Sequence, residues 1–424
     1  MEIVQATISI GHQWLPEHQL RNNTDSRYSG KITVKLLNGN TEAKLAVVHT
    51  LYYGCFRGFT DMTSREFLAK YTTTSLMPLD FQKVRPSQLN VSVSLTDTVD
   101  WRSLGKVGPI NKNQANLQIS KQEISLQYQL FLETYPQRQH VNKYRESVFA
   151  ENYRKIAEHN WEAERGIYTY TMGVNAFTDM TSKEFLEKFT TKMPTIDIQK
   201  LRPFQLNVSV TVPDSLDWRS LGKVGPIKNQ GQCGSCWAFA TVAILESRLA
   251  IKRGSYRSLS EQEIIDCTDG YTCAVGGNIQ MALKTLNRLG GIEADSDYPY
   301  ISGDKHKNQC AYQSVKTVAQ VGTSYINVQD GESGMQQSVY MNGPLYVHVH
   351  VNENFQHYRS GVFSDQNCDQ QINHAVSIVG YGPGYWLIRN SWDTWWGEQG
   401  YIRLARDQNM CRISVYPVWT DDIN

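Results

Sequence analysis

A fold of the α+β class in two lobes, helical first and strand-rich second, is what this sequence predicts. Three observations predict it. Residues 120–165 are polar and charged, with apolar positions at Val148, Phe149, Ile156 and Trp161, a helical pattern. A second helical pattern opens at Cys236, carries Trp237, Ala240, Ala243, Ile244 and Leu249, and closes at Gly254. From Gly343 the period becomes two: Leu345, Val347, Val349 and Val351 alternate with Tyr346, His348 and His350. That is a strand with two different faces, and His348 and His350 are expected on the solvated one.

The remaining elements follow along the chain. Ser260 stands as an N-cap with Glu263 at the capping-box position, so a further helix starts there. Residues 376–379 and 385–388 read as strands. At 424 residues the chain has length for two or three domains. Hydrophobic content of 40% and charged content of 20% exclude wholesale disorder. A formal charge of +1 gives no reason to expect a nucleic-acid partner. With no apolar run of about 18 residues, no membrane partner is expected either.

An internal repeat divides the chain. Residues 100–110 recur unchanged at 217–227, and residues 59–64 recur at 177–182. The likeness stops after Gln114 and Gln230: only the second copy runs on into Cys233 and the cysteine-rich part. Seven of eight cysteines lie there, which points to disulfides, while Cys55 stands alone and is expected to be a free thiol. Three sequons, at Asn22, Asn90 and Asn207, agree with a secretory route. The first residues do not read as a secretory signal, lacking a basic start and an unbroken apolar stretch.

Chemistry enters at residues 230–239. A cysteine in the first turn of a helix faces unpaired N–H groups and the positive end of the dipole, and both favour the thiolate. A thiolate that cuts an amide needs a partner to protonate the leaving amine. Among ten histidines, His374 at the head of a strand is followed by a suitable orienter, Asn390. At these residues the chain resembles the papain family of cysteine endopeptidases, its cathepsin L-like branch in particular. The likeness runs through Gln230 to Trp237, Asn373 to Gly382, and Asn390 to Gly400. His374 and Asn390 lie 138 and 154 residues after Cys236, near the family's usual spacing.

The resemblance implies a papain-like two-lobe fold, with a helical left domain and an antiparallel, β-barrel-like right domain, preceded by a helical propeptide. Cys236 would be the nucleophile, His374 its base and acid, Asn390 the holder of His374, and Gln230 an oxyanion donor. Such donors are typically worth about 3–4 kcal/mol. Gly234, Gly276, Gly277, Ile279, His348, Asn373, Ala375 and Trp392 would line the substrate, Gly277 by strand pairing and Trp392 by covering the His374–Asn390 bond. His348 would sit in the P2 pocket, admitting acidic or polar side chains when protonated and apolar ones when neutral. The implied disulfides are Cys233–Cys273, Cys267–Cys310 and Cys368–Cys411. No metal or cofactor is implied.

Upstream, Arg145, Val148, Phe149, Asn152, Ile156 and Asn160 match the long helix of the family's inhibitory propeptide. Gly173, Asn175, Phe177 and Asp179 match its short following motif, and Val141 departs from the helix motif's first Glu. The expected organisation is 1–114, a degenerate partial copy dispensable for catalysis; 115–211, the propeptide; and 212–424, the peptidase. Processing would fall near 210–213 and be promoted by acid as Asp179 and its neighbours lose charge. The resemblance also implies protein and peptide substrates, cystatin-like inhibitors, a monomer, and a lysosomal or secreted location. Two departures stand out: Ala274-Val275 lengthens the stretch before the glycine pair, and Asp393 replaces a usual Gly. A non-enzymatic scaffold is the competing reading, favoured only by the duplicated piece. The complete Cys236, His374, Asn390 and Gln230 set favours the enzyme.

Overall fold

Helix propensity and apolar stripes explain the first elements of the computed structural model. It describes residues 3–9, 31–37, 119–136, 142–191, 202–204, 210–328 and 330–424, with backbone alone for 3–9, 31–37 and 202–204. Two units partition the chain, 1–113 and 114–424. In the first, β1 (Ile3–Ser9) pairs antiparallel with β2 (Lys31–Leu37). Cys55, Val141 and the whole of the first repeat copy lie outside the described residues.

The second unit opens with α1 (Lys121–Thr134), capped by Ser120, and α2 (Lys143–Glu164), capped by Asn142. The buried positions of α2 are Val148, Phe149, Asn152, Ile156 and His159, one face of a helix. Strand β3 (Tyr170–Met172) follows, then α3 (Ser182–Phe189), whose Thr181 and Glu184 form a reciprocal capping box. The long charged stretch is thus a pair of helices feeding a strand.

The helical lobe centres on α4 (Cys236–Arg253). It is buried nearly all round, and Gly254 at φ 83° ends it with its N–H on Ala250 O. Around it pack α5 (Glu261–Cys267) and α6 (Ile279–Leu289), the latter capped by Asn278. The Ser260 cap forms, its Oγ accepting from Glu263 N–H at 3.0 Å. Glu263 does not reach back to complete the box; its carboxylate accepts from Glu293 N–H instead, at 2.7 Å. Ser260 N–H is already satisfied by Glu293 O at 3.1 Å, so the strand has taken both partners.

Short strands β4 (Arg202–Phe204), β5 (Leu216–Asp217), β6 (Ile292–Glu293), β7 (Thr317–Ala319) and β8 (Ile326–Val328) come first in the chain. The second lobe is a sheet built on β9 (Leu345–Val349), β11 (His374–Gly382), β12 (Tyr385–Arg389) and β13 (Tyr401–Ala405), antiparallel neighbour to neighbour in the order β9-β11-β12-β13. The strand β10 (Tyr358–Phe363) runs parallel to β13 and pairs antiparallel with β3 on its other side. The upstream helical segment therefore docks by extending the sheet of the second lobe.

The expectation of a solvated face on β9 is overturned. All five residues are buried; His348 is 0% exposed and His350 7%. Leu345, Val347 and Val349 belong to the core of the sheet lobe, whereas Tyr346 packs into the other core with Cys236, Ile279 and Ala375. The polar face of the strand is the one turned toward the helical lobe, so alternation here separates two buried environments.

Candidate active site

Cys236 is the first residue of α4, and the turn before it leaves its sulfur facing donors. The N-cap, Ser235, makes no capping bond to the helix; its hydroxyl pairs with Tyr300 Oη at 3.1 Å. The N–H of Ala375 reaches Cys236 Sγ at 3.4 Å, and the N–H groups of Trp237 and Cys236 also face the sulfur. Cys233 is tied to Cys273 beside it. The other two bridges, Cys267–Cys310 and Cys368–Cys411, are also formed, which leaves Cys236 the one free thiol among the described residues.

His374 opens β11, and its tautomer can be read from its neighbours. Asn390 Oδ1 accepts from Ser391 N–H at 2.8 Å, which orients the amide with oxygen toward His374. His374 Nε2 lies 2.8 Å from that oxygen and must be the donor. Nδ1 therefore carries a lone pair, and it has no partner. Trp392 stacks on the imidazole with centroids 4.6 Å apart and shields the His374–Asn390 bond.

Gln230 is held on three sides. Its N–H donates to Ser391 O (2.9 Å), its Oε1 accepts from Ser391 Oγ (2.6 Å), and its carbonyl accepts from Tyr300 Oη (2.6 Å). That leaves Nε2 as the outward donor, directed at Cys233 O (3.0 Å) and the carbonyl of Phe189 (3.5 Å). Ser391 was not singled out by the sequence reading; its adjacency to Asn390 was the signal available.

Residues 177–191 close over these groups. Thr191 N–H donates to Asn373 O at 2.9 Å, and Phe177 and Phe185 pack edge-on against Trp392. Gly234 and Gly277 are buried because neither has room for a side chain. A Cβ on Gly277 would lie 2.4 Å from the Trp237 ring, and one on Gly234 2.7 Å from Cys273 O. Gly276, Ile279 and Ala375 are buried at the same junction of lobes, and Asn373 is half-buried beside them. Val275 of the lengthened stretch is exposed. Asp393 sits at φ 67°, a left-handed position where Asp is among the few tolerated substitutes for Gly.

Burial holds the pair neutral. It pushes the Cys236 thiol up to about 12 against the three N–H groups that favour thiolate. It brings His374 down to about 4, with the Asn390 bond acting the other way. His348 is likewise held down to about 3 by burial, reinforced by His374. A protonated His348 that admits acidic side chains at low pH is thus disfavoured in this covered form.

Comparison with known proteins agrees with this geometry. The papain family cysteine protease pattern matches residues 212–420, and the cathepsin propeptide inhibitor domain matches 127–185. A cathepsin L-like proteinase of Fasciola hepatica is 39% identical over 64% of this chain and 85% of its own length. The chain belongs to the papain family. Cathepsin K of Mus musculus is 36% identical, over 68% of this chain and 89% of its own length. Among solved structures, digestive procathepsin L 3 of Tenebrio molitor larval midgut is 34% identical with a TM-score of 0.63, over 70% of this chain and 98% of that one. The chain is a papain-family cysteine endopeptidase in zymogen form, with an inhibitory propeptide upstream and the two-lobe fold expected. No helix among the described residues is long and apolar enough to cross a membrane.

Proposed function

We propose that the chain hydrolyses peptide bonds through a Cys236–His374 thiolate–imidazolium pair, and that it frees itself from its propeptide in acid. The observation that carries the first part is the free Nδ1 lone pair of His374, positioned by Asn390 and Ser391 while the next residue's N–H lies on Cys236 Sγ. With the propeptide gone, water returns to the cleft, and His374 Nδ1 takes the proton of Cys236. The thiolate attacks the carbonyl carbon, and the oxyanion is met by Gln230 Nε2–H and Cys236 N–H. His374 gives its proton to the leaving amine, leaving a thioester. It then takes a proton from water, whose oxygen attacks the thioester and releases the acid and Cys236. Gly234, Gly276, Gly277, Ile279, His348, Asn373, Ala375 and Trp392 are the proposed substrate-lining residues.

For acid release, two histidines at the propeptide side support the reading better than the carboxylates near Asp179. His159 stacks on Tyr168 at 4.2 Å and its Nε2 meets Tyr170 O at 3.1 Å. His357 is fully buried, its carbonyl accepting from Gly173 N–H at 2.8 Å and its Nδ1 unpartnered. Burial lowers His159, and it holds His357 down to about 3 with help from Lys155. Docking disfavours the protonated form of both, and each returns to ordinary histidine behaviour near 6.5 when freed. The contribution of His357 to docking is complete above pH 6.5 and falls as the pH drops from there toward 3; that of His159 is lost in the same direction. Glu184 behaves oppositely. Burial raises it, but hydrogen bonds from Arg145 and Thr181 outweigh that and take it to about 2. Its ion pair is intact at pH 5 and lost only near pH 2.

We further propose domain limits of 1–114, 115–211 and 212–424, processing near 210–213, a monomer open to cystatin-like inhibitors, and a lysosomal or secreted location; these rest on the family and the sequence. A thiolate-directed epoxide probe tests the central claim. It should label Cys236 after acid treatment and not before, and processing should quicken from pH 7 to pH 5. Labelling of the untreated zymogen at the same rate, or none after processing, would overturn it. His159→Phe should shift the processing threshold about half a pH unit lower, by removing one titrating group.

A further inference from the structure

Tyr346 and His348 form a buried pair on the strand face turned toward the catalytic groups. In the β9–β11 ladder His348 stands opposite Ala375, the residue that follows His374 and donates to Cys236 Sγ. Tyr346 shares a packed cluster with Cys236, Ile279 and Ala375. Tyr346 Oη lies 3.0 Å from His348 Nε2, and the Ile279 backbone N–H faces it. Tyr346 is fully buried, so its own hydrogen needs an acceptor, and Nε2 is the one within reach. That assigns the tautomer: Nε2 accepts and Nδ1 carries the hydrogen. His348 Nδ1–H is then a donor with no partner in a side chain that is 0% exposed. An unsatisfied buried donor is unfavourable, and a ligand group that accepts from it removes the penalty.

We infer that His348 determines specificity, offering Nδ1–H to a substrate side chain that ends in a neutral hydrogen-bond acceptor: the amide of Gln or Asn, or the hydroxyl of Ser or Thr. The inference rests on the placement of His348 in the P2 pocket proposed above and names what that pocket selects. An aliphatic side chain there would leave the donor unpaired, and a carboxylate would be desolvated without a countercharge. Sites built to hydrogen-bond a substrate reject analogues that lack the group more strongly than apolar pockets reject an extra methylene.

The test is kcat/KM of the acid-processed enzyme on peptides randomised at the three positions on each side of the scissile bond. Gln should exceed Leu at P2 by about tenfold, and Glu should fall below Gln. His348→Phe should bring the Gln-to-Leu ratio to one or less, while His348→Gln, which keeps an amide donor, should retain part of it. Tyr346→Phe, which frees the tautomer, should lower the ratio about threefold. A wild-type preference for Leu over Gln at P2, or a ratio unmoved in His348→Phe, would overturn the inference. The epoxide probe separates this from failure of the peptidase reading: an enzyme that labels at Cys236 and cleaves without the P2 preference sinks only the specificity claim. Absence of labelling and cleavage sinks both.

Discussion

The peptidase encloses two groups of buried polar side chains, and they are finished differently. In one, Lys228 Nζ meets Glu246 at 2.9 Å, Glu261 at 2.8 Å and Leu259 O at 3.0 Å, and Arg389 lies 3.6 Å from Glu246. Burial opposes the charge on Lys228, yet its two carboxylates hold its pKa above the ordinary lysine range. Every charge there faces an opposite one, Glu246 Oε2 making no hydrogen bond but lying within the 3.6 Å approach of Arg389, and the group ties α4 and α5 of the helical lobe to β12 of the sheet lobe. In the other, His374 Nδ1, Asn390 Nδ2 and His348 Nδ1 have no partner, and Gln230 Nε2 spends part of its donor capacity on a propeptide carbonyl. A closed network of this kind holds the lobes in register. An open one keeps donors and a lone pair waiting for a ligand.

Breaking the open group should destroy activity and spare the fold. Cys236→Ser should cost about a million-fold in kcat with the melting temperature of the zymogen within about 2 °C of wild type. A folded variant with a tenth of the activity would show that another group is the nucleophile. Breaking the closed group should do the reverse. Lys228→Met leaves two carboxylates buried without their cation and should cost about 3–5 kcal/mol in urea unfolding, with kcat of the surviving folded enzyme near normal. A loss below 1 kcal/mol would mean the cluster does not hold the lobes.

Smaller changes sharpen the line between the groups. Asn390→Ala removes the orienter and not the chemistry, so kcat should fall about ten- to hundredfold with KM little changed. Damage greater than that of Cys236→Ser would reverse the roles. Ser391→Ala frees the Gln230 amide to turn and should cost about three- to tenfold in kcat, less than loss of a direct oxyanion donor. An effect confined to KM would place Ser391 in ground-state binding instead.

Much of this was legible before any coordinates. Gly254 ends α4 and Ser260 caps α5 because those signals act within one turn, and local backbone geometry decides them. Cys236, His374 and Asn390 were found by residue type and order, and the structure brings Asn390 onto His374 and Ala375 onto Cys236. Environment is not legible in the same way. A polar residue at every second position looks the same whether it meets water or a second lobe, so the pattern alone places the His348 face in solvent. The Lys228 group was missed for a related reason: its four charges come from four separated segments, and only Glu246, set within an apolar helix, hinted at it.

By itself the sequence determined the order of elements, the helix ends, and which residue types could form a nucleophile, a base and its holder. Each of these depends on neighbours a few residues away or on the chemistry of a single side chain. Tertiary structure alone decided which nitrogen of His374 and of His348 carries the proton. A tautomer is set by the one atom opposite it: for His374 that atom is Asn390 Oδ1, brought across by the pairing of β11 with β12, and for His348 it is Tyr346 Oη on the same strand, whose hydrogen is driven onto Nε2 by burial between the lobes.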